Sequence, residues 1–341
     1  MENRLAKISA MISVIFLVML VIIFEKIPAY HEKVKADSTI VTQKSEKEIG
    51  YGNMEMNYDD NLQIPLPGNV KPENVKVYIK MIYRKVNITF EVKDNIFDVS
   101  SMVNTAGREV SNISYSAAND KISIDVALNN YYKVFWTVKG SILYMRFLDI
   151  TPEDTVVVID AGHGDYDVGA NLGTIYEKNI TLDICRILKQ KTADDKFVIF
   201  FTREDDSYPT VEERVDFVNA IKPALFISIH CNWYDGGGDI NGTEVLYNVN
   251  DTAEVNSSQW LAQIMEDKVT KACGTYKKGL VEGNSIHIVR NSSVPVALVE
   301  VAYMTNQKDL ELLNSDEGKE KAAQGIYDGI CEALKQLGKI K

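Results

Sequence analysis

Cysteine is scarce in this sequence, with four residues in a chain of 341. They are Cys185, Cys231, Cys273 and Cys331, and no two of them form a C-x-x-C pair. The length and the low cysteine density exclude a small secreted scaffold held together by disulfides. The spacing alone does not show whether any pair is bonded. Free cysteine behaves as a small buried hydrophobic residue, so we expect most of the four to be reduced core residues.

Basic residues are in short supply in the second half of the chain. The chain has a net charge of −11, and residues 151–341 contain 31 acidic against 19 basic side chains. Binding to nucleic acid needs clustered lysine and arginine to contact phosphates. The acidic balance therefore excludes a nucleic-acid partner, and the sequence does not identify protein partners.

Residues 8–24 form an uncharged apolar run, ISAMISVIFLVMLVIIF, at the short end of the length that spans a bilayer. A cleaved signal peptide is the alternative, although its apolar region is shorter and no good cleavage site follows this run. We expect residues 1–29 to be a cytoplasmic tail and an uncleaved transmembrane anchor. Lysines flank the run on both sides, so the positive-inside rule is nearly balanced. An extracytoplasmic location of the remaining chain is an expectation that depends on the function.

The next two segments differ in pattern. Residues 30–70 are polar without sustained periodicity, and we interpret them as a linker. Apolar and polar residues alternate within 71–150, for example at 121–128, and period two is typical of strands with one buried face. A turn is predicted at Lys139-Gly140. We therefore expect residues 71–150 to be a small β-rich domain, a sandwich.

Residues 151–341 change to an alternation of strands and helices. Apolar runs typical of buried strands lie at 156–159, 197–201, 225–229 and 294–299. Helical periodicity is found at 180–188, at 211–218 behind a Thr210-x-x-Glu213 capping box, and at 322–334. The predicted fold class is α/β, with a twisted, mostly parallel sheet flanked by helices, preceded by the β-rich domain and the transmembrane helix.

Side chains able to bind a metal follow or end three of these predicted strands. His163 and His230 each come directly after an apolar run, and Glu300 ends a third. A further carboxylate, Glu177, precedes the helix that follows the His163 loop. Ligands of open α/β sheets bind outside the carboxyl ends of the strands, so we expect these four side chains to meet at one edge.

Two histidines and one carboxylate are a known ligand set for catalytic zinc, which lowers the pKa of a bound water. A further carboxylate would transfer the proton of that water to a leaving amine. The alternative is that each histidine is structural, as a lone histidine at a strand end usually is. The chain has no H-E-x-x-H motif, so the common metalloprotease arrangement is absent.

The same region resembles a known family, the zinc-dependent N-acetylmuramoyl-L-alanine amidases of bacterial cell walls. The resemblance extends from Val156 to Leu337, and its motifs include VVVIDAGHGDYDVGA, YEKNITLDICRIL, LFISIHCN and VPVALVEVAYMTNQKDLELL. It implies Zn²⁺ as cofactor, with His163, Glu177 and His230 as ligands and Glu300 as the catalytic glutamate. It also implies peptidoglycan as substrate, cut at the amide between N-acetylmuramic acid and L-alanine. In such a protein the β-rich domain would bind wall polymer, dock a partner or serve as a spacer.

Some positions depart from the family pattern. Asp165 replaces a glycine after Gly164, and Ala302-Tyr303 replaces the usual Gly-Phe. Neither change removes an implied ligand. The segment between His230 and Gly242 is too short for the helical insert that blocks the zinc in some relatives, so we expect no such plug.

Further residues near these motifs have two interpretations each. Asn232 is a candidate substrate contact or a loop cap, and Arg290 is a candidate partner for a stem-peptide carboxylate or a surface residue. Asp160 either orients a metal-bound histidine or ends its strand. His287 is interpreted as a strand residue rather than a ligand.

Two other functions stay open on the sequence alone. A catalytically silent wall-binding or regulatory protein would keep the fold without turnover. A zinc carboxypeptidase acting on wall peptides would use the same ligand set on another bond.

Overall fold

The computed structural model describes residues 62–92, 108–118, 120–193 and 195–341. The predicted tail and anchor, residues 1–29, and most of the predicted linker lie outside these residues. Among the described residues, no helix has the length and apolar character that crossing a membrane requires.

The β-rich region consists of antiparallel strands in two sheets. One sheet has the order β2-β3-β5-β4 and the other β1-β7-β6. The strands are β1 (Leu62–Pro65), β2 (Lys76–Lys80), β3 (Lys85–Glu91), β4 (Val110–Ala118), β5 (Lys121–Leu128), β6 (Tyr132–Lys139) and β7 (Ile142–Asp149). Alternate residues of β5 are buried, as the period-two pattern predicts. A turn with Gly140 at φ +62° joins β6 to β7, close to the predicted position.

The first strand corrects one prediction. Residues 62–65 were expected to belong to the linker 30–70, but they form β1 and pair with β7, Leu62 opposite Met145. Leu62 and Ile64 are buried in the apolar interior, whereas Gln63 and Pro65 are partly exposed. A four-residue strand shows too few alternations for its period to stand out in the sequence.

The second region contains a sheet in the order β11-β8-β12-β15-β13-β14. All neighbours are parallel except β15 and β13, so the prediction of a mostly parallel sheet is confirmed. The strands are β8 (Val156–Ala161), β11 (Val198–Phe201), β12 (Leu225–Asn232), β13 (Thr243–Tyr247), β14 (Lys277–Glu282) and β15 (Val296–Tyr303). The short β9 (Asn171–Leu172) and β10 (Ile175–Tyr176) form a separate hairpin. The strands β13 and β14 were not predicted from periodicity.

Helices cover both faces of this sheet. They are α1 (Glu177–Lys191), α2 (Val211–Ile221), α3 (Ser258–Cys273), α4 (His287–Asn291), α5 (Gln307–Leu313) and α6 (Asp316–Gln336). The helices α1, α3 and α6 share one apolar core with the sheet, and α2 and α4 share the other. The predicted capping box is present at Thr210 and Glu213, a contribution of about 1 kcal/mol. His287 begins α4, so its assignment to a strand is wrong.

All four cysteines are free, in line with the expectation that most of them are reduced. Cys185, Cys231 and Cys273 are buried, and Cys331 is partly buried. Burial raises the pKa of Cys231 well above its usual value, because the charged thiolate is disfavoured away from water. The neutral thiol at this position therefore serves as a core residue.

Candidate metal centre

Three side chains meet at the carboxyl edge of the parallel strands. His163 lies in the loop after β8, with φ +64°, and His230 lies near the end of β12. Glu177 is the first residue of α1, which follows the β9–β10 hairpin. The carboxyl ends of parallel strands share one edge of a sheet, so the topology brings the two histidines together.

The three side chains form a tight cluster. One possible ligand atom from each of His163, Glu177 and His230 lies within 4.8 Å of the other two. The Nε2 of His163 is 3.1 Å from Glu177 Oε1, and the Nδ1 of His230 is 3.0 Å from the same oxygen. The two imidazole rings have centroids 4.9 Å apart. This arrangement places two nitrogens and an oxygen around one point.

Two glycines make room for the cluster. A Cβ on Gly162 would lie 2.4 Å from Cε1 of His230. A Cβ on Gly169 would lie 2.5 Å from Glu177 Oε2 and 2.6 Å from Cδ2 of His163, and Gly169 has φ +66°. Such distances are well inside van der Waals contact, so a side chain at either position would displace the imidazoles.

Hydrogen bonds fix the orientation of the cluster from outside. The Nδ1 of His163 lies 3.0 Å from both carboxylate oxygens of Asp167, which can accept its proton. The backbone N–H groups of Ala170 and Cys231 donate to Glu177 Oε2 and Oε1 at 2.8 and 2.9 Å. The sequence interpretation missed Asp167, although a carboxylate four residues after a histidine in a glycine-rich turn was a usable signal.

Asp160 lies next to last in β8 and is linked to the His163 loop through Arg214. Its buried carboxylate accepts hydrogen bonds from Thr202 Oγ1 and Ser228 Oγ, each at 2.6 Å, and from Arg214. Burial alone would raise the pKa of Asp160, but the Arg214 cation and the two hydroxyls hold that pKa at about 2. Arg214 in turn donates to the carbonyls of Ala161 and His163 at 2.7 and 2.8 Å. Asp160 therefore anchors Arg214, which holds the backbone of the His163 loop.

In this cluster, the carboxylates and the imidazoles shift the pKa values of one another towards the charged forms. Burial opposes ionisation of Glu177, but hydrogen bonds from His163 and His230 lower its pKa well below the usual value. Burial likewise favours the neutral imidazole of His163, yet Glu177 and Asp167 raise the pKa of that ring. The cluster thus holds an ionised carboxylate beside two imidazoles, a donor set that suits a divalent cation once the ring nitrogens that face it are deprotonated.

Glu300 lies beside this cluster on the neighbouring strand. It is in register with His230 on β12 and with Glu244 on β13. Burial, with contributions from the charges of Glu177 and Glu244, raises the pKa of Glu300 well above its usual value. Within the described residues, its buried Oε2 has no hydrogen-bond partner.

These observations fit a single bound cation of the zinc type. Two imidazoles and a carboxylate match the donor set of catalytic zinc sites, which leave one position open for water or substrate. A buried carboxylate oxygen without a partner is costly unless it meets a further group. The unpartnered Oε2 of Glu300 is therefore consistent with a group that acts on such a water or substrate.

The two candidate substrate contacts fall in different places. Asn232 ends β12, and its side-chain amide donates to Glu244 Oε1, the residue next to Glu300 across the sheet. Arg290 lies in α4, before β15 begins, and its guanidinium donates to the carbonyl of Asn284 at 3.0 Å. The structure therefore places Asn232 near the cluster and Arg290 at the opposite edge of the sheet, since β15 reaches Glu300 only in its second half.

The segment from Trp233 to Gly242 contains no helix. Trp233 and Tyr234 are exposed in this loop. Asn306 donates to the carbonyl of Gly238 at 2.6 Å, which ties the loop to the segment before α5.

The fold and the site together define an α/β protein with a candidate mononuclear metal centre. A family profile described as N-acetylmuramoyl-L-alanine amidase matches residues 157–332, more than half of the chain. The chain belongs to the N-acetylmuramoyl-L-alanine amidase family.

Individual relatives agree with this membership. The chain is 34% identical over 173 residues to the N-acetylmuramoyl-L-alanine amidase LytC of Bacillus subtilis, covering 51% of this chain and 34% of LytC. It is 33% identical over 178 residues to the uncharacterized protein YqiI of the same organism, covering 52% of this chain and 84% of YqiI. This chain thus spans about a third of the length of LytC.

A solved structure supports the fold. The crystal structure of an N-acetylmuramoyl-L-alanine amidase from Clostridium difficile 630 superposes with a TM-score of 0.51 at 27% identity. The superposition covers 54% of this chain and 98% of that one. Because β1 to β7 lie outside residues 157–332, the family match concerns the second region alone.

Proposed function

We propose that this protein is a zinc-dependent amidase that hydrolyses the bond between N-acetylmuramic acid and L-alanine in peptidoglycan. The observation that carries the proposal is the convergence of His163, Glu177 and His230 within 4.8 Å, with Glu300 in register beside His230. Family membership supports the choice of substrate and bond.

The residues of the site have distinct parts in the proposed reaction. Zinc held by His163, Glu177 and His230 would supply Lewis acidity and make water acidic near neutral pH. Asp167 accepts the Nδ1 proton of His163, which leaves Nε2 of that ring available as a ligand. A cation bound beside Glu300 would favour its ionised form, which would then accept a proton at Oε2 from the attacking water and donate it to the nitrogen of the leaving amine.

The location follows from the substrate. Peptidoglycan lies outside the cytoplasmic membrane, so residues 151–341 would act on the outer side as the catalytic domain. In this proposal residues 1–29 are a single-pass anchor, and the polar residues that follow are a linker.

The proposal is tested with full-length protein, purified in mild detergent, loaded with zinc and incubated with peptidoglycan. We expect new L-alanine amino termini and intact stem peptides in the mass spectrum, and loss of both products after chelation. Release of single terminal amino acids would instead identify a carboxypeptidase. Binding to the wall without any product, at full zinc occupancy, would identify a catalytically silent protein.

A further inference from the structure

The β-rich region is packed directly on the second region. The 3₁₀ turn Met81–Tyr83 follows β2, and Met81 and Ile82 belong to the same apolar core as Phe200 and Phe217. The ring of Tyr131 meets the ring of Phe217 edge-on, with centroids 5.4 Å apart. The described residues from Leu62 to the C-terminus belong to one compact unit. The core thus continues from one region into the other.

Among the described residues, two ion pairs cross this boundary. Lys80 Nζ lies 2.6 Å from Asp205 Oδ2, and the two side chains are 23% and 31% exposed. Lys133 Nζ lies 2.8 Å from Asp154 Oδ2, with exposures of 15% and 20%. Both pairs join a lysine of the β-rich region to an aspartate of the second region. The two aspartates lie in different parts of the second region.

The first pair ends on a loop that holds the candidate metal centre. Asp205 belongs to residues 202–210, which connect β11 to α2 and are called here the bracket loop. Arg203 in this loop donates to the carbonyls of Ala161 and Gly162 at 2.9 and 2.8 Å, and to the carbonyl of Asp205 at 3.1 Å. The carbonyls of Ala161 and Gly162 lie just before His163, so the bracket loop fixes the backbone of that candidate ligand.

The bracket loop also contacts the residues after His163. The backbone N–H of Asp165 donates to Asp206 Oδ1 at 3.0 Å, and Lys178 joins Asp206 to the carbonyl of Asp165 at 2.7 Å each. A Cβ on Gly164 would lie 2.1 Å from the carbonyl oxygen of Ser207, so the two backbones touch. Both sides of His163 are therefore held by this one loop.

The Lys133–Asp154 pair lies away from the His163 loop. The carboxylate of Asp154 accepts hydrogen bonds from Lys133 and from Thr151, which lies before β8. Thr151 and Asp154 are at the amino edge of the sheet, where β8 begins, whereas His163 is at its carboxyl edge. The Lys133–Asp154 pair thus provides a natural control.

We propose that the β-rich domain positions the metal centre. Its residue Lys80 holds Asp205 and thereby fixes the bracket loop behind His163. Lys80 is a positioning residue, because it acts through Asp205 and Arg203 rather than on substrate. Any effect of Lys80 on turnover rests on the proposed function, whereas its effect on the position of the His163 loop does not.

The test compares Lys80→Ala, Lys133→Ala and Lys80→Arg in the full chain. Amide hydrogen exchange of residues 162–169 is measured without metal, and Co²⁺ binding is then measured from its visible absorption. A partly exposed ion pair has a small energy, so we expect Lys80→Ala to raise exchange in this segment and weaken Co²⁺ binding by about three- to five-fold each. Lys133→Ala should leave the exchange of residues 162–169 and the Co²⁺ affinity unchanged. Lys80→Arg keeps the positive charge, so its exchange and Co²⁺ affinity should match those of the wild type.

Equal exchange at residues 162–169 in Lys80→Ala and wild type would overturn the proposal, as would an equal increase in Lys133→Ala. An increase that Lys80→Arg does not reverse would also count against it. If the wild type binds no Co²⁺, the proposed function fails, but the exchange measurement on the metal-free chain still decides whether Lys80 positions the loop.

Discussion

Replacing Asp160 with asparagine tests how the His163 loop is held. Asp160 is fully buried and accepts from Thr202, Ser228 and Arg214. Asparagine has nearly the same shape, so the substitution removes the negative charge without leaving a cavity. Arg214, which is also buried, then loses its counter-ion while its guanidinium still contacts the carbonyl of His163.

The size of the effect follows from the pKa of Asp160, which the folded structure lowers from 3.8 to about 2. At about 1.4 kcal/mol per pKa unit, this difference corresponds to ~2.5 kcal/mol in favour of the folded state. Leaving Arg214 buried without a counter-ion adds to the loss, and breaking a buried ion pair typically costs about 3–5 kcal/mol. We expect Asp160→Asn to destabilise the protein by an amount in that range at pH 7.

The pH dependence has a definite sign. The pKa of Asp160 is lower in the folded than in the unfolded chain, so its contribution is present above pH 4 and is lost as the pH falls from 4 towards 2. The stability difference between wild type and Asp160→Asn should therefore narrow over this interval.

The assay is urea unfolding of the metal-free full chain in mild detergent, followed by tryptophan fluorescence at several pH values. Asp149→Asn is the matched control, because its side chain is 61% exposed and contacts only the exposed Arg108 among the ion pairs of the described residues. The control should change stability by no more than about 0.5 kcal/mol. A loss below about 1 kcal/mol for Asp160→Asn, or a difference that does not narrow in acid, would refute the reasoning.

Three further substitutions address the centre itself. Glu300→Gln should keep zinc and lower kcat about 10²- to 10⁴-fold, because it removes the proton acceptor; unchanged kcat would show that the base is another group. Asp167→Asn should weaken zinc binding about 10- to 100-fold in a metal-buffered titration, because His163 loses its orienting carboxylate; an unaltered Kd would contradict that role. Gly162→Ala should abolish zinc binding, measured as metal content, because the new Cβ occupies the place of the His230 ring; a full zinc content would show that His230 is not a ligand.

The meeting of His163, His230 and Glu300 could be predicted because it depends on topology. Each follows or lies within an apolar strand, and parallel strands bring their carboxyl ends to one edge. The row across the sheet from His230 through Glu300 to Glu244 could not be predicted, because β13 runs antiparallel to β15 and its register depends on pairing. Periodicity within a segment reports burial, but not which segment lies beside it.

The residues that hold the His163 loop could not be predicted from the sequence either. Arg203 and Arg214 are buried cations bound to backbone carbonyls, and such partners have no sequence pattern. Arg290 was considered as a substrate contact from its nearness to Glu300 along the chain. The structure places Arg290 in α4, before β15 begins, and Glu300 in the second half of β15, and the role of Arg290 as a substrate contact stays a prediction.

X-ray absorption of the zinc-loaded full chain tests the metal centre most directly. The structure predicts two imidazole nitrogens and carboxylate or water oxygens at about 2.0–2.2 Å, with no sulfur in the coordination sphere. His163→Ala and His230→Ala should each remove one imidazole from the spectrum or abolish binding. A sulfur scatterer at about 2.3 Å, or a zinc spectrum unaltered by either substitution, would contradict the assignment of His163, Glu177 and His230 as the ligands.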